Sequence, residues 1–488
     1  MSIRRFALPL AAACWLAGCA GTPPAPDAST VIRQAEDALG STEMRSLSVA
    51  LRGTGGTFGQ AYEPTQAWPG LNYSIVNRAM NFETGAFREE FARARSEPRG
   101  GGAVPPLGQG EQRQVSFTRD GLAWNTAGTA VVPVLLGVGA REHDLWLGTP
   151  HGALKAARKF NARAGRREEG GQSRTTLSFE VPGAFTATLV LDEKHLVSRI
   201  ESTLPHPVLG DTPVVTQFSD YRDLGGRLRF PMRLQQSMGA HPVFDLQAGQ
   251  VHANATVDIP VPDGVRGAKE NVVSTAVAPG VWFLAGGSHN SVAVELADQI
   301  VLIESPLYDG RALAAMAAAN ALVPGKKVAT VINSHHHFDH AGGLRAAAGE
   351  GATLVTSALA KPYFEQVFTN PNRVAPDHLA RSGRSAKIVG VSGKHVISDG
   401  QRSIEVHELQ GNVHAQGFMV VWLPKERLLV QADAYTPGPP NAAPPPVPIP
   451  QQVNLVQNIE RLGWSVDRIL PLHGRVVPMR ELLVAVGR

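Results

Sequence analysis

Cysteine is nearly missing from this chain: 488 residues contain two, at positions 14 and 19. Beyond Cys19 there is none, so a disulfide framework is excluded and so is a thiolate metal site. Stability has to come from packed cores, and a metal has to be held by nitrogen and oxygen. A charge excess of either sign is also lacking. The chain has 46 basic and 42 acidic residues, and with Arg4 and Arg5 set aside the balance is +2. No long basic run occurs, which leaves no case for a nucleic-acid partner. Arg163, Arg166 and Arg167 cluster, but Glu168 and Glu169 follow at once, and the segment reads as a solvated loop. The apolar stretch Phe6 to Trp15 is too short to span a bilayer comfortably.

Residues 1–18 read as an export signal, with Arg4-Arg5 as the basic start, the apolar stretch next, and Leu16-Ala17-Gly18-Cys19 at the end. That ending resembles the lipobox of bacterial lipoproteins, which implies that Cys19 is acylated and becomes the first residue of the mature chain. Ala20 does not resemble an inner-membrane retention residue. The resemblance therefore implies a lipid anchor in the bacterial cell envelope, at the outer membrane and facing the periplasm. Residues 19–30, rich in proline and small side chains, read as a flexible tether.

A chain this long exceeds one ordinary core, so two domains are expected. Residues 31–265 read as the first. After a short helix near Val31 to Leu39, alternating segments dominate: 113–118 and 122–124 around Asp120-Gly121, then 173–181, 185–191, 196–202, 214–221 and 228–236. One longer helical stretch, Arg141 to Phe160, is broken near Gly148 and Pro150. A curved, mainly antiparallel sheet wrapping a helix is the expectation. The pattern also resembles the half-barrels of periplasmic lipoprotein carriers. Ile259-Pro260-Val261-Pro262-Asp263-Gly264 breaks the rhythm and marks the boundary. From residue 272 to 488 strands and helices mix, as in a layered α/β domain, with Val466 to Leu470 as the last strand.

The second region carries the chemistry. Strand Val328 to Ile332 runs into Ser334-His335-His336-His337-Phe338-Asp339-His340-Ala341-Gly342-Gly343. In an extended segment alternate side chains share a face, so His335, His337 and Asp339 are expected to point into one pocket. His340 joins them only if the chain turns, and Gly342-Gly343 supplies freedom to turn. Imidazoles and a carboxylate at this density point to a metal site, because crowding them without a cation is costly. Further candidates follow at strand ends: His414, Asp433 and His473.

This order of residues resembles the metallo-β-lactamase superfamily over about residues 272–488. The resemblance implies an αββα sandwich and two zinc ions, with iron or manganese as alternatives at such donors. Carried over by position, His335, His337 and His414 hold one ion. Asp339, His340 and His473 hold the other, and Asp433 bridges both. Asp339 is also the catalytic candidate, as the residue that orients a nucleophilic hydroxide. His336 is the variable residue of the motif and points away from the metals. Ala415 stands where a hydroxyl residue is usual, and Glu304, where Asp is common, reads as structural. His407 reads as packed or exposed. His289, in the loop Gly286 to Asn290, is a weak candidate for touching substrate. The Pro-rich segment Pro437 to Pro450 reads as a cleft wall or a connector. The implied activity is hydrolysis of an ester, lactone or related small-molecule bond. The alternatives are cleavage of β-lactams and, from another class, a periplasmic lipid- or acyl-binding lipoprotein with a structural metal domain.

Overall fold

The computed structural model describes residues 26–96 and 110–488. The export-signal and Cys19 readings lie outside the described residues. Helix Ala28–Leu39 begins inside the expected tether because the Asp27 side chain accepts a hydrogen bond from the Thr30 amide at 2.8 Å, capping the first turn. It ends at Gly40, whose φ of 67° suits glycine, and a Cβ there would meet the Arg227 carbonyl oxygen at 1.9 Å.

Among the described residues, 46–96 and 110–253 build one sheet of 13 strands. Every neighbouring pair is antiparallel, and the first strand, Ser46–Gly56, pairs with both Gly70–Asn81 and the last, His241–Ala253. Alternation dictates the inner face: along Gly210–Asp223, Thr212, Val214, Thr216 and Phe218 are buried while Pro213, Gln217 and Ser219 are exposed. That face covers helix Ala28–Leu39 and the pair Gly137–Leu147 and Pro150–Lys159. The last two are the expected broken helix. Thr149 sits between them and its hydroxyl accepts from the Gly152 amide at 3.1 Å, so the chain restarts rather than continues. Leu145, Leu154, Leu177, Phe185 and Ile200 meet in this core, each contributing about 1.5–3 kcal/mol by leaving water. The arginine-rich segment expected as a loop is instead the edge strand Arg163–Glu169. Its polar side chains suit a sheet edge that faces water.

Residues 273–478 form two further sheets, of seven and six strands. In the first, Ile300–Ile303, Val328–Ile332, Thr353–Ser357 and Lys387–Val391 run parallel. Ile300–Ile303 is apolar throughout and, with most of Thr353–Ser357, buried on both faces, whereas Lys387–Val391 at the sheet edge is largely exposed. Phe283, Val292, Val301 and Ile303 pack against Val406, Val421 and Leu429 of the second sheet. Helices Asp309–Leu322 and Leu344–Gly349 cover the outside of one sheet, and Pro450–Arg461 and Met479–Ala485 cover the other. The architecture is an αββα sandwich preceded by a large antiparallel sheet. Arg468–Pro471 is not the last strand, since Val477–Pro478 pairs beside it before the final helix.

Two segments of the large sheet reach the sandwich. At Gly210–Asp211 the Asp211 amide donates to the Pro371 carbonyl at 2.7 Å, and the Asp211 carboxylate accepts from the Arg373 amide at 2.7 Å. The connection from Thr57 to Pro69 is the other.

Candidate metal centre

Strand Val328–Ile332 delivers His335 and His337 to one end of the sandwich, but the alternation does not continue to Asp339. Phe338–Ala341 is a helical turn, closed by the His340 and Ala341 amides donating to the His337 carbonyl. It aims Asp339 and His340 at a second, adjoining place. The turn therefore precedes Gly342-Gly343, whose role differs from the one expected. Gly342 has an ordinary φ of −63°. A Cβ on it would lie 1.9 Å from the Leu307 carbonyl oxygen, and one on Gly343 would lie 2.5 Å from the Ala312 side chain. These glycines allow close packing rather than a bend.

His335, His337, His414 and Asp433 form one group, with one ligand atom from each lying within 4.8 Å of the others. His335 Nε2 is 2.9 Å from His337 Nδ1 and 3.2 Å from His414 Nε2. Asp433 Oδ2 is 2.9 Å from His414 Nε2. A tetrahedral ion with bonds of about 2.0–2.1 Å spaces its ligands about 3.3 Å apart, so the convergence has the size of a zinc site. Asp433 Oδ2 is also buried without a hydrogen-bond partner of its own, as an atom reserved for a cation would be.

His289, Asp339, His340 and His473 form the adjoining group. His473 Nε2 is 3.1 Å from His340 Nε2 and 2.9 Å from Asp433 Oδ1. Asp433 thus stands between the groups, with Oδ1 toward His473 and Oδ2 toward His414, the latter also 3.2 Å from His340 Nε2. His289 Nε2 lies 3.3 Å from Asp339 Oδ2, and its ring centre is 4.1 Å from that of His473. Solvent reaches the centre from this side. The Asp339 and His473 side chains are 31% and 19% exposed, whereas those of His335, His340, His414 and Asp433 are 3% or less.

The nitrogens facing away from the centre are held. His340 Nδ1 donates to Glu304 at 3.1 Å, and His473 Nδ1 donates to the Ser288 carbonyl at 3.0 Å. His337 Nε2 donates to the Ala61 carbonyl at 2.9 Å. His335 Nδ1 lies 3.0 Å from the Ser334 hydroxyl, which donates to Glu304. Such partners fix the tautomer and leave the other ring nitrogen free for metal. Glu304 is structural in this definite sense, fully buried and anchoring two ligands. His336 points away, donating to the Ala61 carbonyl at 2.8 Å, and His407 pairs with Glu405 at 2.9 Å. Ala415 loses no anchor for its neighbour, because Asn412 accepts from the His414 and Ala415 amides at 2.9 and 3.1 Å. The Pro-rich loop passes the rim at Pro437, in contact range of Gly474.

Electrostatics separate the two groups. Burial pushes His335 and His337 well below the ordinary imidazole range, and neighbouring imidazoles add to it. Burial also lowers His289, to about 4. Burial acts on His340 and His473 too, but Asp433 and Asp339 outweigh it and raise both. Burial would raise the two carboxyls, yet the His340 charge holds both well below the usual carboxylate range. The carboxylates thus draw positive charge into a place from which water is largely excluded, which is the demand a metal ion meets.

Residues 284–458 match the model of the metallo-beta-lactamase superfamily. The C-terminal half carries a metallo-β-lactamase superfamily domain. Such a domain supports a metal-dependent hydrolase. A metallo-beta-lactamase from Pontibacter korlensis is 16% identical, covering 44% of this chain and 98% of its own with a TM-score of 0.35. One from Hirschia baltica is 17% identical, covering 44% and 95% with a TM-score of 0.33. Rubredoxin oxygen:oxidoreductase from Desulfovibrio gigas is 17% identical, covering 44% and 61% with a TM-score of 0.35. A comparison with curated proteins finds no match. Sequence reasoning did not reach Gln60 and Ala61, which touch the metallo-β-lactamase domain from far away in the chain. Neither residue type carries a signal that marks it for such a place.

Proposed function

We propose that the protein is a hydrolase that holds two metal ions and cleaves an ester, lactone or related small-molecule bond, anchored through Cys19 in the cell envelope. The observation that carries this reading is Asp433, with Oδ2 facing His414 and Oδ1 facing His473 at 2.9 Å each. A carboxylate shared in this way suits two ions a few ångströms apart, and the all-nitrogen-and-oxygen donor set suits zinc, iron or manganese. Bound there, such ions supply Lewis acidity and lower the pKa of a coordinated water to about 7. The chain's own residues do the rest. His335 and His337 present neutral imidazoles, and His414 adds a third ring nitrogen. Asp339, at the open side, orients the nucleophile, and Gln60 and His289 hold its two oxygens at 2.8 and 3.3 Å. His289 borders the path by which substrate enters.

A second reading has its own support. The large sheet encloses a cavity of about 250 Å³ lined by Tyr73, Phe91, Leu204, Val214 and Phe244. Glu89, Arg93 and Asp144 also line it, so it suits a ligand with an apolar tail and a polar head, as in a lipid- or acyl-binding lipoprotein. Purified protein without residues 1–19, assayed for metal and against ester, lactone, β-lactam and phosphodiester reporters, separates the readings. Two metals per chain, with turnover that Asp339→Ala abolishes, support the hydrolase, and the reporter cleaved names the bond. A metal-replete protein silent on every reporter, with lipid copurifying, supports the binder.

A further inference from the structure

The connection between strands Ser46–Gly56 and Gly70–Asn81 leaves the large sheet and lies against the metal centre. Its base is closed by the Thr57 amide donating to the Pro69 carbonyl at 2.8 Å. Phe58 is wedged edge-on between Trp68, His206 and Phe338, at ring distances of 4.5, 5.0 and 5.3 Å. Beyond it, four consecutive residues touch the centre or its supports. The Gly59 carbonyl accepts from the Phe338 amide at 3.2 Å. Gln60 Nε2 donates to Asp339 Oδ1 at 2.8 Å. The Ala61 carbonyl accepts from His336 and His337 at 2.8 and 2.9 Å, which uses both its lone pairs. The Tyr62 carbonyl accepts from the Gln416 amide at 2.8 Å, and its hydroxyl donates to the Asn412 carbonyl at 2.9 Å. Asn412 in turn anchors the loop that carries His414. The segment therefore straddles the sandwich, tied to the histidine motif on one sheet and to the His414 loop on the other.

We propose that residues 57–69 are a positioning strap of the metal centre, in which the Ala61 carbonyl and Gln60 decide which atoms of His337 and Asp339 face the ions. With its Nε2 proton committed to Ala61, His337 presents Nδ1, the atom that lies 2.9 Å from His335 Nε2. With Oδ1 committed to Gln60, Asp339 presents Oδ2 to His289 and His340. Partners of this kind govern metal affinity by about 10–100-fold. The large sheet is then part of the centre rather than a passenger beside it. This rests on the reading that these residues hold metal, and the test distinguishes the two.

Two substitutions perturb the strap without replacing a candidate ligand. Gln60→Ala removes the Asp339 contact. Gly59→Val displaces the strap, because residue 59 has a φ of +71° and a Cβ there would lie 2.2 Å from the Phe338 ring and 2.8 Å from Phe338 Cβ. Gln66→Ala, on the exposed outer turn of the same segment, is the control. Metal-free full-length protein is titrated with Co²⁺, reading its visible absorption bands, and with Zn²⁺ against a competing chelator. The expected result is about 10-fold weaker binding of one ion for Gln60→Ala and a larger loss with altered Co²⁺ bands for Gly59→Val. Gln66→Ala stays at wild type, and the melting temperature of Gln60→Ala is unchanged. Wild-type affinity and bands in Gln60→Ala overturn the proposal, whether or not Gly59→Val folds. A wild-type protein that binds neither ion overturns the metal reading itself.

Discussion

The large sheet and the sandwich treat histidine in opposite ways. In the sheet region His151 is fully buried, stacked on Phe230 at 5.3 Å, with Nε2 donating to the Arg229 carbonyl at 3.1 Å. Burial lowers its pKa to about 4, so it stays neutral and serves as a core residue with one satisfied nitrogen. In the sandwich, imidazoles turn their nitrogens toward one another and toward Asp339 and Asp433, although the ring protons of His335 and His337 are already committed outward to Ser334 and Ala61. Carboxylates differ in the same way. Glu169 and Glu201 lie on the sheet's surface and pair with Arg199 and Arg167 at 2.8–2.9 Å, whereas Asp433 has only histidines before it. Convergence, more than burial or residue type, separates a ligand from a core or surface group.

Breaking the shared carboxylate gives the largest effect. Asp433→Ala is expected to lower both metal content and hydrolysis by more than about 100-fold, beyond the usual cost of losing an orienting partner. Elemental analysis and reporter assays check it. A core change in the other region gives a different signature. Phe185, fully buried, costs about 3–5 kcal/mol when replaced by Ala, so denaturant unfolding shifts while the metal content of folded protein stays constant. If metal content falls in proportion, the two regions are less separable than the packing indicates.

The lone histidine sharpens the contrast through pH. Its folded pKa is depressed from 6.5 to about 4, so the unfolded chain binds the extra proton as pH falls through this window. Its contribution is intact above pH 6.5 and is lost toward pH 4, by at most about 1.4 kcal/mol per unit. His151→Gln is expected to flatten that part of the stability–pH curve, and an unchanged slope argues against a buried neutral imidazole. The smallest effect belongs to the surface ladder. Arg199→Ala is expected to cost less than about 1 kcal/mol in thermal unfolding, since exposed pairs are screened.

Much of the centre was legible because its ligands sit at strand ends and come in a dense, ordered series. Their division into His335, His337 and His414 on one side and Asp339, His340 and His473 on the other, with Asp433 between, came from the family resemblance rather than from spacing. The helical turn at Phe338 was not legible, because the alternation of a preceding strand says nothing about where it stops. Gly342 and Gly343 suggested a bend when the need was close approach to Leu307 and Ala312. The strap was invisible for a stronger reason. Its contact with His337 is a backbone carbonyl, which any residue at position 61 would supply, and it joins positions 276 apart in the chain. The large sheet's strands were readable from alternation. The edge strand Arg163–Glu169 was not, because charged side chains on a solvated edge look like a loop.

A two-metal centre closed by Asp433 is tested most directly by the number of ions per folded chain, with turnover, in wild type and in Asp433→Asn. Two ions and hydrolysis in the wild type, with both lost or halved in the variant at unchanged fold, is the predicted result. A variant that keeps two ions and full turnover contradicts a centre closed by Asp433.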